Sequence, residues 1–289
     1  SDVGSNGQTA TFTFDATSGD DLTIDAGLLP RADIGDYVWI DSDRDGIQEG
    51  GEAGLENVRV ILYNADTSTP LDTVFTDNAG AYKFENVGTG NYYVQFDIDT
   101  ASGDFEFSPT GAGNGSNDSE ASTTGQGSTF AFDPLSGDDL THDAGVYPVA
   151  DIGDYVWIDT DGDGIQDVGE SGADSVTVIL YDANTGTPLD TVLTDSDGSY
   201  TFEDVPEGDY YISFDPSTSP DVMSTGFSPA ATGNGSNDSD PGPTGFTPTF
   251  SFDPSTGDDL NRDAGLVPGA DIGDYVWGDT DGDGIQDVG

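Results

Sequence analysis

The stretch Ala150-Asp151-Ile152-Gly153-Asp154-Tyr155-Val156-Trp157 occurs three times, beginning at Ala32, Ala150 and Ala270, at spacings of 118 and 120 residues. Asp-Ala-Gly returns at the same spacings from Asp25, Asp143 and Asp263, and Gly-Asn-Gly-Ser-Asn-Asp begins at Gly113 and again at Gly233. The period decides the class of fold. Solenoid repeats run ~20–50 residues and need stacked neighbours to bury a core, whereas ~120 residues make a domain that folds alone. These markers divide the chain into the tail of a preceding repeat (1–29), two complete repeats (30–147 and 148–267) and the head of a following one (268–289). The chain starts and stops inside repeats, which reads as a window cut from a longer array. Each junction, as in Gly145-Val146-Tyr147-Pro148-Val149-Ala150, is short and joins two apolar residues to a proline. Such a joint is stiff beside a Gly/Ser linker, so domains fused end to end in an elongated rod are expected.

Within a repeat the apolar period is two. Val176, Val178 and Leu180 alternate with Thr177, Ile179 and Tyr181, and Tyr200-Thr201-Phe202, Tyr210-Tyr211-Ile212-Ser213-Phe214 and Phe250-Ser251-Phe252 follow the same pattern. Turn signals such as Asp197-Gly198, Glu207-Gly208 and Thr256-Gly257 separate them. Segments near 152–158, 175–182, 189–194, 199–203, 209–215, 247–252 and 259–266 predict about seven strands, and no segment carries a helical stripe. The predicted fold is all-β: tandem immunoglobulin-like β-sandwich domains.

Asp and Glu number 57 against 5 Lys and Arg, a net charge of −52. Nucleic acid and anionic membrane surfaces both require clustered basic residues, so neither is an expected partner. Of the acids 48 are Asp, the shorter carboxylate that suits tight loops and hard cations. With 15 Phe, 12 Tyr and 3 Trp regularly spaced, the chain can bury cores despite this charge, so something must neutralise the carboxylates. There is no cysteine, hence no disulfide or thiolate metal site, and no apolar run approaching the ~20 residues of a membrane span.

The neutralising agent is indicated after the first strand of each repeat. Counted from Asp159, the loop Asp159-Thr160-Asp161-Gly162-Asp163-Gly164-Ile165-Gln166-Asp167-Val168-Gly169-Glu170 has acids at positions 1, 3, 5, 9 and 12 and glycine at 6. This is the ligand spacing of an EF-hand calcium loop, with the Ile165 carbonyl at position 7. Asp41, Asp43, Asp45, Ile47, Glu49 and Glu52 repeat it, and Asp279, Asp281, Asp283 and Asp287 begin a third copy. Carboxylates ~5 Å apart repel by roughly 3 kcal/mol per pair at an effective dielectric of ~20, which a solvated acidic turn would have no reason to sustain. Calcium is the expected ion, since magnesium dehydrates reluctantly and seldom occupies an all-protein cage. Strand and turn flank the loop, so no EF-hand domain is implied.

A second acidic group lies late in each repeat: Asn117, Asp118, Glu120, Asp139 and Asp143, matched by Asn237, Asp238, Asp240, Asp259 and Asp263. Asp36 and Asp154 lie near the junction. In a sandwich the last strand runs near the first, so these groups are expected to share further ions, several per repeat in all. The competing reading is Asx-turn and solubilising chemistry.

Gly-Asp-Tyr-Val-Trp, the Asp-x-Asp-x-Asp-Gly-x-Gln-Asp loop, Thr-Asp-x-x-Gly-x-Tyr-x-Phe at 194–202, Glu-Gly-Asp-Tyr-Tyr at 207–211, Asn-Asp-Ser-Asp and the closing Asp-Ala-Gly occur in this order. The series resembles the calcium-binding B-type (SdrD-like) repeat of serine–aspartate-repeat bacterial surface adhesins, related to collagen-adhesin B-type modules. The resemblance covers essentially the whole chain. It implies an extracellular, cell-surface or secreted protein whose sandwiches bind several calcium ions each and form a stalk. One departure concerns the intramolecular Lys–Asn isopeptide bond of some collagen-adhesin modules. The only lysine is Lys83, and its counterpart in the second repeat is Thr201.

The expected function is a calcium-rigidified structural repeat of a fibre, stalk or filament, with adhesion by the repeats themselves as the alternative. Loops 103–112 and 217–232 differ between repeats and would carry such a binding role. The expected partners are neighbouring repeats of the same long chain and other copies in a fibre. No enzyme is expected: the lone His142 aligns with Ile24 and Arg262, and every paired acid has a better use as a ligand. Asn114, Asn117, Asn234 and Asn237 begin glycosylation sequons, but turn and ligand roles compete for them. Trp39, Trp157 and Trp277 read as core or junction packing rather than sugar platforms.

Overall fold

The computed structural model describes residues 8–12, 20, 22–24, 28–111, 113, 115, 117–220, 225–230 and 235–269. The chain forms two compact units divided between Pro148 and Val149. The third acidic loop (Asp279, Asp281, Asp283, Asp287), Asn114, Asn234 and Trp277 lie outside the described residues.

The first unit contains β1 (Ala32–Ile40), β2 (Arg59–Asn64), β3 (Thr69–Phe75), β4 (Ala81–Val87), β5 (Gly90–Asp97), β6 (Phe105–Phe107), β7 (Phe130–Phe132), β8 (Asp139–Leu140) and the start of β9 (Ala144–Ile158). One sheet has the order β3-β2-β5-β7; in the other, β1 is flanked by β4 and β9, with β8 beside β1 and β6 beside β9. The second unit repeats the plan. Its strands are β10 (Thr177–Asp182), β11 (Pro188–Leu193), β12 (Ser199–Pro206), β13 (Gly208–Asp215), β14 (Thr225–Phe227), β15 (Phe250–Phe252), β16 (Asp259–Leu260) and β17 (Ala264–Pro268). One sheet runs β11-β10-β13-β15, and the remainder of β9 pairs with β12, β16 and β17, with β14 beside β17. Each unit is an immunoglobulin-like β-sandwich.

Alternation buries one face of each sheet. Val60 and Leu62, paired with Phe96 and Val94 in one sheet, share the first core with Ile34, Val38 and Phe84 of the other; Val178, Leu180, Ile212, Phe214, Ile152, Val156 and Phe202 do the same in the second. Trp39 and Trp157 are fully buried, which makes them core residues rather than sugar platforms. The Thr-Asp-x-x-Gly motif is a clamp between the sheets. Buried Thr194 donates from Oγ1 to the Ala173 carbonyl (2.6 Å) and accepts the Val176 N–H (2.9 Å). Asp195 then accepts the N–H groups of Asp197 and Ser199, which turns the chain into β12. Gly172 lies so close to this turn that a Cβ would sit 1.8 Å from the Asp197 carbonyl oxygen.

Two corrections to the predicted strands follow. The stretches 103–112 and 217–232, read as variable loops, contain β6 and β14, each pairing with the last strand of its unit. Three-residue strands fall below the length at which alternation is distinguishable from chance. The segment 259–266 is also two strands, because a carboxylate enters the ladder between them. Asp263 takes the N–H of Tyr155 between the β16 and β17 pairings. In the first unit Asp143 takes the Tyr37 N–H (3.2 Å).

Candidate metal centres

The acidic loops leave β1 and β9 and fold back on themselves. In the second, buried Asp159 spans the turn, accepting the Gly162 N–H on Oδ1 (2.7 Å) and the Gly164 N–H on Oδ2 (2.9 Å). Glu170 closes the loop from its far end, accepting the N–H groups of Thr160 (2.6 Å) and Asp167 (3.0 Å). The first loop repeats this with Asp41 bound to Arg44 and Gly46, and Glu52 to Ser42 and Glu49. Glycine is required at position 6: Gly46 has φ +80°, and a Cβ there would lie 2.1 Å from the Pro109 carbonyl oxygen.

This geometry gathers all five acids of each loop. Ligand oxygens of Asp41, Asp43 and Asp45 lie within 4.8 Å of one another, as do those of Asp43, Glu49 and Glu52. In the second repeat the groups are Asp159, Asp161 and Glu170, and Asp161, Asp163 and Asp167. Asp43 and Asp161 belong to both groups of their loop. The crowding is felt electrostatically. Desolvation first, then the charges of Asp45, Asp43, Glu52 and Asp41, raise the Glu49 pKa. Asp161 accepts the Asp163 N–H, which lowers its pKa, yet desolvation and the neighbouring Asp163, Asp159 and Asp167 leave it raised. Asp159 behaves oppositely: against burial, Ser228 and the N–H groups of Gly164, Gly162 and Asp163 hold it low.

The late acidic segment docks on the same loop. Gln48 donates its N–H to the Asn117 carbonyl (2.8 Å), and Ser119 donates to Gly46 (3.0 Å). Gln166, Asn237, Ser239 and Gly164 match them at 2.8 and 3.1 Å. These bonds flank the bridges Ile47–Asp118 and Ile165–Asp238, and none of them uses the Ile47 or Ile165 carbonyl. Asp118 Oδ1 is buried there with no protein hydrogen-bond partner.

Deeper, Asp36, Glu120 and Asp143 come together between the first and last strands. Asp143 is 1% exposed, and its Oδ2 has no protein partner. Its Oδ1 takes the Tyr37 N–H, it shares a side-chain hydrogen bond with Asp36, and its own N–H donates to Glu120 Oε2 (2.5 Å). Burial, then Asp36 and Glu120, push the Asp143 pKa to about 8, and burial pushes Glu120 to about 7. Asp154, Asp240 and Asp263 repeat the arrangement, with Asp240 raised to about 6 and Asp263 to about 8, again by burial first. Asp263 Oδ2 is likewise unpartnered by protein. Buried carboxylates with unused oxygens fit a hard cation better than any other group.

Asp139 and Asp259 sit differently. Asp139 accepts Thr141 Oγ1 and faces His142, while Asp259 pairs with Arg262 at 2.6 Å. Lys83 pairs with Asp33 at 2.9 Å. That contact raises the lysine and lowers the carboxyl, favouring the charged pair, whereas amide formation needs both groups neutral. Sequence reading had no signal for the Pro109 carbonyl behind Gly46 or for Ser119 and Ser239, whose Oγ atoms accept the Gly145 and Gly265 N–H groups.

The two units are thus tandem copies of one plan, a β-sandwich with an acid-lined loop backed by buried carboxylates. Residues 32–146 and 150–266 each match the SdrD B-like domain, so the chain belongs to that family. Serine-aspartate repeat-containing protein F of Staphylococcus epidermidis is 37% identical over 273 residues, covering 93% of this chain and 16% of that protein. Serine-aspartate repeat-containing protein D of Staphylococcus aureus (strain Newman) is 36% identical over 288 residues, covering 98% and 20%. The chain thus spans a fifth or less of the length of these relatives. Among solved structures, the minor pilin GBS52 of Streptococcus agalactiae matches at 14% identity and TM-score 0.29, over 84% of this chain and all of that one. The shaft pilin SpaA of Lactobacillus rhamnosus GG matches at 9% and 0.31, over 85% of this chain and all of that one.

Proposed function

We propose that the chain is a calcium-stiffened structural segment of an extracellular bacterial surface stalk or fibre. The observation that carries this reading is the gathering of five loop carboxylates into two overlapping groups within 4.8 Å, once in each repeat. The proposed loop ligands are Asp41, Asp43, Asp45, Glu49 and Glu52 with the Ile47 carbonyl, and Asp159, Asp161, Asp163, Asp167 and Glu170 with the Ile165 carbonyl. Asp36, Asp118, Glu120 and Asp143, with Asp154, Asp238, Asp240 and Asp263, are proposed to hold further ions. Asp139 and Asp259 are left to their local partners. Calcium would supply charge neutralisation; the chain's own part is to hold the carboxylates at fixed separation and exclude water behind them.

In this reading 30–147 and 148–267 are complete repeats, 1–29 and 268–289 are parts of their neighbours, and the array serves as a stalk or fibre at the cell surface. Its partners are adjoining repeats and other copies of the chain. The membership in the SdrD B-like family supports the surface role. The adhesive alternative has in its favour a cleft of 520 Å³ in the first unit lined by Thr110, Ser122, Thr124 and Ser128, but the same cleft is lined by Asp118 and Glu120, which this reading gives to the ions.

Calorimetric titration with calcium, combined with small-angle scattering, tests the proposal. Several ions should bind per repeat, and a rod of roughly 40 Å per domain should shorten or loosen in chelator. A scattering profile unaffected by chelator, or no heat of binding, overturns it.

A further inference from the structure

Two tyrosine pairs serve neither the cores nor the acidic sites. Tyr63 on β2 and Tyr93 on β5 are directly opposite in the antiparallel register, and their rings stack with centroids 4.8 Å apart and planes 2° from parallel. Tyr181 on β10 and Tyr211 on β13 reproduce the same separation and angle. All four rings are half-buried, so the pairs are held in place yet reachable from solvent. The neighbouring outward positions are not kept alike: Gln95 and Gln126 in the first repeat become Ser213 and Phe246 in the second. A stacked pair favours strand pairing, but its geometry also suits covalent chemistry. Aromatic χ2 torsions are soft, and turning both rings about them brings the carbons ortho to the hydroxyls edge to edge across the gap. The chain has no cysteine, and its single lysine, held in a charged pair, lies in the first repeat, so neither a disulfide nor a lysine isopeptide bond can serve both repeats.

We propose that Tyr63–Tyr93 and Tyr181–Tyr211 are oxidative cross-linking sites, each converted to dityrosine by a peroxide-dependent one-electron oxidant. Each phenol loses one electron and one proton to give a phenoxyl radical. The two radicals join through a carbon–carbon bond between ortho positions, and the rings re-aromatise by proton transfer from those carbons to the phenolic oxygens. One hydrogen peroxide takes up the two electrons and two protons and leaves as two waters. The product staples β2 to β5 and β10 to β13, the central strand pairs of their sheets.

The test treats the whole calcium-loaded chain, at low concentration, with a haem peroxidase and hydrogen peroxide. The expected result is a monomer lighter by two hydrogens per repeat, dityrosine fluorescence, and linked peptides joining Tyr63 to Tyr93 and Tyr181 to Tyr211. The yield should be independent of protein concentration. Tyr93→Phe keeps the ring and should remove only the first link, halving the fluorescence, and Tyr211→Phe should remove only the second. Links formed mainly between chains, links at Tyr37, Tyr147 or Tyr155 instead, no links, or a yield no greater than that of the urea-unfolded chain would each overturn the assignment.

Discussion

Asp161 is the residue on which the second loop turns, because it belongs to both carboxylate groups while lying at the surface. Replacing it with Asn keeps the shape and removes the charge. Asp161→Asn should weaken calcium binding at that loop by at least tenfold, about 1.4 kcal/mol, and lower the calcium-loaded melting temperature. In chelator the same change relieves repulsion and should leave the melting temperature equal or higher, so equal losses in both conditions would argue against a metal site. Gly46→Ala acts through the backbone. With φ at +80° and the Pro109 carbonyl in the way, it should cost ~1–3 kcal/mol in calcium and chelator alike, as measured by denaturant unfolding.

At the scale of elements, the sheets are joined by buried hydrogen bonds that no ion can replace. Thr194→Val leaves the Ala173 carbonyl and Val176 N–H without their side-chain partner, and should cost about 2–3 kcal/mol whatever the calcium concentration. Urea titration of the second repeat checks this. The contrast with Asp161 separates two sources of order, one in the strand framework and one in the acidic loops. The first and last strands of each unit show where they meet: Asp143 and Asp263 occupy the ladder itself, so any charge there is felt by the strand pairing.

For the whole molecule the consequence is a pH dependence that changes sign with calcium. Asp143 and Asp263 are raised to about 8, Glu120 to about 7 and Asp240 to about 6. A folded pKa above the unfolded value of ~4 means that stability is fully present below that value and is lost as pH rises through the folded one. In chelator the melting temperature should therefore fall between about pH 5 and pH 8. With calcium bound, protons compete with the ion for the same oxygens, and the melting temperature should fall as the pH is lowered. Calorimetric melts across this range, with and without calcium, check both signs; a parallel dependence in the two conditions would place the ions elsewhere.

The 118- and 120-residue periods, the alternation of Val176, Val178 and Leu180, and the acid spacing from Asp159 to Glu170 are local properties of the chain. They were sufficient for the sandwich class, the repeat and the loop that draws five carboxylates together, because a two-residue period and a twelve-residue loop are written in consecutive residues. The pairing of β6 and β14 with the last strands, the docking of Asn117 and Asn237 on loops some 70 residues earlier, and the burial of Asp143 against Asp36 depend on long-range closure. So does the division of the late acids into buried Asp143 and Asp263 and side-chain-paired Asp139 and Asp259. All four are Asp near the last strand; only the fold decides which carboxylate loses its water, because that depends on what distant parts of the chain close over it.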